Sequence, residues 1–351
     1  MSRFHTTRSL AAAASLAAFL QWQPSTADES TIDVVTSFSI LGDMVTEVGG
    51  DRVEVITLVG AGEDAHTFIP GPSDVKVLTE AELVIVNGLG FEGWLDRLVE
   101  ASGSDATLIV ATTGIDVLAV EDDHHDEDEH DDHAEQDSHD HDEHAEEASH
   151  DYDDHDEHDD DAAEGHAGHD DHGHGPVDPH AWQDVTNAEI YVHNIAEALI
   201  AADPDGHEVY EANAERYLDE LHDLDHDIRE AVARLPEDHR TVVTSHDAFG
   251  YYERAYGITF IGAVGVSTDT DPSAGEIADL IRQIREEHIA GVFVESITDS
   301  RMIDRIADET GAIVGGVLYS DALSEPDGPA ATYVEMMRHN TDMLTSAVSA
   351  F

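Results

Sequence analysis

The segment 121–174 cannot enter a hydrophobic core, and it most constrains the fold of this 351-residue chain. Its 54 residues include 27 acidic residues and 14 histidines, and they include no lysine or arginine. This composition, without hydrophobic periodicity, predicts a disordered and solvated loop. The fold must therefore be built from the two flanking stretches, which together are long enough for two ordinary domains.

On both sides of this loop, short β-rich runs alternate with amphipathic helical patterns. The candidate strands are TIDVVTSF, RVEVITLVG, ELVIVNG and ATLIVAT before the loop, and RTVVTSH, ITFIGAVGV, GVFVES and GAIVGGVLY after residue 240. Strands that alternate with helices of about ten residues indicate parallel sheets covered on both faces. The predicted fold class is α/β with two lobes, each a mostly parallel sheet flanked by helices.

One long helix is predicted between the lobes, over residues 206–235. This stretch has no proline and no internal glycine. Its apolar residues recur at helical spacing through Val209, Leu218, Leu221, Leu224, Ile228 and Val232. A rigid helix in this place restricts the lobes to tilting, unlike a flexible linker. The expected organisation is an N-terminal lobe at 28–205, the linking helix, and a C-terminal lobe at 236–351.

The N-terminus predicts an export signal over residues 1–27. Arg3 and Arg8 precede the apolar run LAAAASLAAFL, and the small residues STA precede Asp28. The run is shorter than the roughly 20 apolar residues that span a bilayer. The chain has no cysteine, so we expect no disulfide, no thiolate metal site and no lipid anchor at a lipobox. The expected location is the periplasm, and no transmembrane segment is expected in the mature chain.

The net charge of −64 excludes some partners and suggests a saline environment. The chain has 79 acidic residues against 15 Lys and Arg, whereas nucleic-acid binding needs clustered positive charge. Without segment 121–174, 52 acidic residues still face 15 bases. Such a surface repels itself at low salt, and the repulsion is screened at about 1 M salt. We interpret the acidity as halophilic adaptation; the alternative is a merely soluble acidic protein.

Three of the ten histidines outside the signal and the loop stand in unusual places. His66 follows a strand and a glycine-rich turn, His180 lies between a proline and an alanine–tryptophan pair, and His246 ends a strand. Asp321 follows the last strand. The coarse assignment places all four at the C-terminal ends of strands, where open α/β sheets bind ligands. Three imidazoles and one carboxylate form a closed, four-coordinate set for a divalent metal.

Each of these four residues also has a purely structural interpretation. A lone histidine at a strand end is more often part of the scaffold, and Asp321 can cap a turn. The remaining histidines fall on helices or polar turns, where we expect them to be surface residues; they are His193, His207, His222, His226, His239, His288 and His339.

The chain resembles the zinc and manganese solute-binding proteins of ABC importers, the ZnuA/TroA-like group of cluster A-I. The resemblance covers essentially the whole mature chain. It rests on GEDAHTFIPGPSDV, VNGLGFEGWLD, DPHAWQDV, SHDAFGYYERAYGI and LYSDALSEPDGPAATYVEMMRHN. It implies that His66 and His180 are the metal ligands of the N-terminal lobe, and that His246 and Asp321 are those of the C-terminal lobe. It also implies a long interlobe helix and, as in zinc-specific members, a histidine-rich loop.

Two positions depart from relatives in ways that concern the metal. Ala65 stands where some zinc-specific relatives have an acid, so Asp321 should supply the carboxylate. His246 stands where manganese-selective relatives commonly have glutamate, and the extra nitrogen ligand favours zinc. The resemblance therefore implies a non-enzymatic protein that captures Zn²⁺ with high affinity, with Mn²⁺ as the alternative cargo.

The implied partners are an ABC permease, its ATPase subunit and a periplasmic zinc chaperone, and the chain is expected to be a monomer. Two other functions are alternatives to metal capture. A zinc hydrolase would need an open water position, and no HExxH motif occurs. A metal buffer would use segment 121–174 as the main binder, which leaves the two lobes without a purpose; an accessory role for that segment remains open.

Overall fold

The computed structural model describes residues 31–120, 177–289 and 291–348. The expected signal at 1–27 and the expected loop at 121–174 lie outside these described residues. Among the helices that the structure describes, none is both long and apolar enough to cross a membrane.

Two four-stranded parallel sheets organise the described chain. The first sheet has the order β2-β1-β3-β4, and its strands are β1 Ile32–Phe38, β2 Val53–Val59, β3 Leu83–Val86 and β4 Thr107–Val110. The second has the equivalent order β6-β5-β7-β8, with β5 Thr241–Thr244, β6 Thr259–Gly262, β7 Gly291–Glu295 and β8 Ile313–Leu318. Parallel neighbours need a crossover between them, and helices supply it. The α/β prediction with one parallel sheet per lobe is confirmed.

Helices cover both sheets and connect them. They are α1 Ser39–Gly49, α2 Pro72–Glu80, α3 Leu95–Ser102, α4 Val185–Ala202, α5 His207–Ala233, α6 Gly250–Tyr256, α7 Ala274–Glu287, α8 Arg301–Thr310 and α9 Tyr333–Val348. The inner strands β3 and β7 are buried along their whole length, as their continuous apolar sequences require. The outer strands β4 and β8 are largely exposed.

The long helix α5 matches the predicted linking helix to within two residues at each end. Its buried residues form one face and are Tyr210, Ala214, Tyr217, Leu221, Leu224, Ile228 and Val232. The predicted apolar stripe was wrong at its start, because Val209 is 42% exposed while Tyr210 is fully buried. Tyrosine and alanine therefore build the first turns of the packed face.

The buried core runs without interruption from the first sheet to the helices of the second half. Helix α5 packs against α1, α4, α6 and α9. One hydrophobic cluster includes residues of all these helices, and a smaller cluster lies between the second sheet and helices α7 and α8. The loops that follow the strands are therefore anchored to a continuous hydrophobic core.

Candidate metal centre

Four loops bring the predicted ligands together. His66 lies between β2 and α2, His246 follows β5 by two residues, and Asp321 follows β8 by three. His180 differs from the expectation that every ligand follows a strand, because it immediately precedes the short 3₁₀ helix Ala181–Gln183. Helix α6 begins only at Gly250, which leaves His246 in an irregular turn between β5 and α6.

The ligand atoms of these residues all lie within 4.8 Å of one another. His66 Nε2 is 3.3 Å from His180 Nε2 and 3.3 Å from Asp321 Oδ2. His246 Nε2 is 3.2 Å from Asp321 Oδ2, and His180 Nε2 is 3.6 Å from Asp321 Oδ1. Four donors about 2.0–2.1 Å from a common centre have tetrahedral edges of about 3.3–3.4 Å. Three nitrogens and a carboxylate therefore stand at separations that suit one divalent ion.

The centre is shielded from solvent. The side chains of His180, His246 and Asp321 are fully buried, and that of His66 is 5% exposed. Neither oxygen of Asp321 accepts a hydrogen bond from the residues that the structure describes. Buried carboxylate oxygens are costly without a partner, so a cation among them would relieve that cost.

Two further buried carboxylates each orient one of the predicted ligand histidines. Asp178 Oδ1 accepts from the backbone N–H of His180 at 2.8 Å and lies 2.7 Å from its Nδ1. Glu295 Oε1 accepts from the backbone N–H of His246 at 2.7 Å, and its Oε2 lies 2.5 Å from Nδ1. A carboxylate at Nδ1 places the proton there and leaves Nε2 free to bind a metal.

The electrostatics of the centre favour bound positive charge. Burial would lower the pKa of His246, but the charges of Glu295 and Asp321 outweigh burial and hold that pKa well above its usual value. Burial would likewise raise the pKa of Asp321, yet His246 and His180 bring it well below its usual value. Asp321 is therefore an anion at neutral pH, ready to neutralise a cation.

The N-terminal lobe holds the Asp321 loop from across the centre. Trp182 Nε1 and Gln183 Nε2 both donate to the carbonyl of Ser320, at 2.8 and 2.9 Å. The ring of Phe91 lies 4.9 Å from the rings of His66 and Trp182. This aromatic wall keeps water away from the ligands, and the two hydrogen bonds fix the backbone beside Asp321.

The sequence interpretation missed Asp178 and Glu295. A signal was present for each: Asp178 precedes His180 by two residues, and Glu295 ends the otherwise apolar strand GVFVE. The other histidines of the described chain stay outside the centre. His207 and His226, for example, are exposed on α5 and lie 3.5 and 3.4 Å from the glutamates four residues further on.

The sequence matches a protein family over residues 34–347, which include all four predicted ligands; the family is described as ZnuA, zinc-uptake complex component A, periplasmic. A curated relative, the manganese-binding lipoprotein MntA of Halalkalibacterium halodurans, is 32% identical over 322 residues, covering 92% of this chain and 90% of MntA. MntA is named a lipoprotein, so the comparison does not support the expectation of a chain without a lipid anchor.

Solved structures show the same fold. The periplasmic zinc-binding protein TroA of Treponema pallidum has a TM-score of 0.73 at 25% identity, covering 91% of this chain and 99% of TroA. A manganese-bound periplasmic metal-binding protein of Candidatus Liberibacter asiaticus has a TM-score of 0.69 at 27% identity, covering 91% of this chain and 100% of the other. These relatives are binding proteins by name, and their names divide between zinc and manganese.

Proposed function

The chain belongs to the ZnuA family of periplasmic metal-uptake proteins, and from that premise we propose that it captures Zn²⁺ through His66, His180, His246 and Asp321 for an ABC importer. Members of this family are the extracytoplasmic, metal-binding component of such importers, so a permease and an ATPase are the partners. The single observation that carries the proposal is the spacing of the four donors, which suits a four-coordinate ion.

Zinc is favoured because three of the four donors are imidazole nitrogens. Imidazole suits zinc, whereas manganese prefers carboxylate, carbonyl and water ligands. The Irving–Williams order adds to this preference at any such site. All four ligands come from one chain, which also supports a monomer. A periplasmic chaperone as a further partner stays a prediction.

Manganese is the second candidate cargo. The carboxylate of Asp321 turns Oδ2 toward His66 and His246 and Oδ1 toward His180. Both oxygens can therefore bind one ion, which raises the number of ligands beyond four and suits a harder metal. Several relatives, MntA and the streptococcal PsaA proteins among them, are named for manganese.

Metal titration of the mature chain and its His246→Ala variant tests the proposal. We expect one tight site for Zn²⁺, weaker binding of Mn²⁺, and a loss of at least about 100-fold in affinity on substitution of this buried ligand. His193→Ala, on the exposed face of α4, is the matched control and should bind as the parent does. Equal affinity in the parent and in His246→Ala would overturn the ligand assignment, and tighter Mn²⁺ than Zn²⁺ would favour the second candidate.

We propose that segment 121–174 has an accessory role, in which it binds additional metal ions weakly. Its flanks meet in the described chain, where Ala119 forms an isolated antiparallel bridge with Val177, three residues before His180. A variant in which Asn-Gly replaces residues 120–176 would connect Ala119 to Val177 by a two-residue turn, as in a β-hairpin. We expect this variant to retain the tight site and to lose only weak additional binding, because ordering entropy opposes each site on a solvated chain. Loss of the tight site would show that the segment supplies a ligand.

A further inference from the structure

Asp64 differs from the other two carboxylates that accept from ligand histidines. Its Oδ1 accepts from the backbone N–H of His66 at 2.9 Å, as Asp178 and Glu295 do for their histidines. Its Oδ2, however, accepts from Thr268 Oγ1 at 2.6 Å, across a sequence separation of 204 residues. One carboxylate therefore joins the His66 loop of the first lobe to a loop of the second.

The loop that carries Thr268 connects β6 to α7 and has little other support. Two backbone hydrogen bonds hold its first residues: the N–H of Val264 donates to the carbonyl of Ser245, and the N–H of Asp247 donates to the carbonyl of Gly265. Cavities of about 440 and 640 Å³ lie along it, the first lined by Thr268 itself. Within the described chain, the bond to Asp64 is the one side-chain hydrogen bond from this loop to the first lobe.

We propose that Asp64 is a positioning residue that latches the β6–α7 loop to the His66 loop, so that the hydrogen bond with Thr268 slows release of the bound metal. The inference rests on the proposed metal-capture function and deepens it. The bond joins groups from both lobes, so any opening movement that separates the His66 loop from the β6–α7 loop must break it. It can therefore stabilise the closed state without taking part in the first encounter with the ion.

Removal of the latch should act on the dissociation rate. A hydrogen bond to a charged acceptor contributes more than a neutral one, and its loss corresponds to about a 10-fold change in an equilibrium constant. Because the open form and the ligands are unchanged, we expect the association rate constant to stay within about twofold and the dissociation rate constant to rise about 10-fold. Asp64 touches no metal in this scheme.

Thr268→Val is the sharpest test, since it removes the hydroxyl and leaves Asp64 to hold His66. The full mature chain is loaded with one equivalent of Zn²⁺ and mixed with excess chelator in a stopped-flow fluorimeter. Tryptophan fluorescence reports on the centre, because the ring of Trp182 lies 5.4 Å from that of His180 and Trp94 Nε1 donates to Ala65. Segment 121–176 contains no tryptophan, so ions bound there do not contribute directly.

Two variants separate the latch from a general disturbance. Thr268→Ser keeps the hydroxyl and should release Zn²⁺ as slowly as the parent. Thr270→Val removes an exposed hydroxyl two residues along the same loop and should also leave release unchanged. The thermal midpoint of metal-free Thr268→Val should equal that of the parent, since a merely structural bond would lower it.

The outcomes distinguish this inference from the proposed function. If His246→Ala loses tight binding but Thr268→Val releases Zn²⁺ at the parental rate, the latch is wrong and metal capture stands. If Thr268→Val and Thr270→Val accelerate release equally, the effect belongs to the loop as a whole and the latch is again wrong. If His246→Ala binds Zn²⁺ as the parent does, the metal centre itself has been misassigned.

Discussion

At the scale of single residues, the geometry of the candidate centre depends on carboxylates outside the predicted ligand set. Asp178 and Glu295 each hold one histidine by its backbone and its ring. The three predicted histidine ligands stood out in the sequence because histidines at loop starts are uncommon, whereas Asp321 was singled out only by its place after the last strand. Their supporting acids did not stand out, since acidic residues are abundant throughout this chain.

Glu295→Gln should weaken metal binding by about 10- to 100-fold. The amide nitrogen can donate toward Nδ1 of His246, which favours the tautomer with its proton on Nε2, where the metal must bind. Isothermal titration with Zn²⁺ measures the change. Glu286→Gln, on the exposed face of α7, is the control. Parental affinity in Glu295→Gln would mean that the tautomer of His246 is set by another group.

Asp43 should make stability depend on pH. Burial raises the pKa of Asp43 to about 7. The hydrogen bond that its carboxylate accepts from the backbone N–H of Tyr333 acts in the opposite direction but is the smaller effect. The unfolded chain ionises Asp43 near pH 4, so the folded state holds an extra proton between about pH 4 and 7. Stability is therefore lost as the pH rises through this window, by up to about 4 kcal/mol for a shift of about three pKa units.

Asp43→Asn should remove this loss and stabilise the metal-free protein by about 1–3 kcal/mol at pH 8, with little effect at pH 4.5. Asparagine retains an oxygen that can accept from Tyr333. Urea unfolding at the two pH values, at constant salt, gives the difference. Asp51→Asn, at an exposed position, provides the comparison. A gain of the same size at both pH values would show that ionisation of Asp43 is not the cause.

At the scale of elements, helix α5 shows what periodicity predicts and what it does not. Its existence and length followed from an uninterrupted helical pattern. Its buried face was placed correctly from Leu221 onward but not at Val209, because tyrosines and alanines, rather than aliphatic residues, pack at the start. Which face of a helix is buried depends on its neighbours, and α5 contacts the helices α1, α4, α6 and α9.

Leu224→Ala should lower the free energy of unfolding by about 2–5 kcal/mol, because Leu224 is fully buried and the substitution leaves a cavity. Val209→Ala, in the same helix but 42% exposed, should cost less than about 1 kcal/mol. Urea denaturation of the metal-free proteins compares them. Equal losses would contradict the buried face assigned to α5.

At the scale of the whole molecule, the sequence predicted the architecture well and the interlobe contacts poorly. Alternating strands and helices specify two parallel sheets, since βαβ connections allow few other arrangements. The bond from Asp64 to Thr268 and those from Trp182 and Gln183 to Ser320 depend on how the lobes meet. No local pattern encodes that arrangement.

The net charge of −64 should make the fold depend on salt. Raising NaCl from 0.1 to 1 M screens the repulsion among surface carboxylates, and we expect a gain on the order of 1–3 kcal/mol that levels off at higher concentration. Urea midpoints of the metal-free chain across this series provide the measurement. A midpoint that stays constant or falls would contradict the halophilic interpretation, which is itself still a prediction.

The length of helix α5 has a mechanical consequence. Its 27 residues form a rod of about 40 Å, and a rotation of about 1.5° moves the end of such a rod by about 1 Å. Metal–ligand distances tolerate only about 0.2 Å. A rotation of α5 by this small angle would therefore displace the residues at its far end by more than a metal–ligand bond tolerates. Leverage of this kind would allow the ion to be released without any helix unfolding.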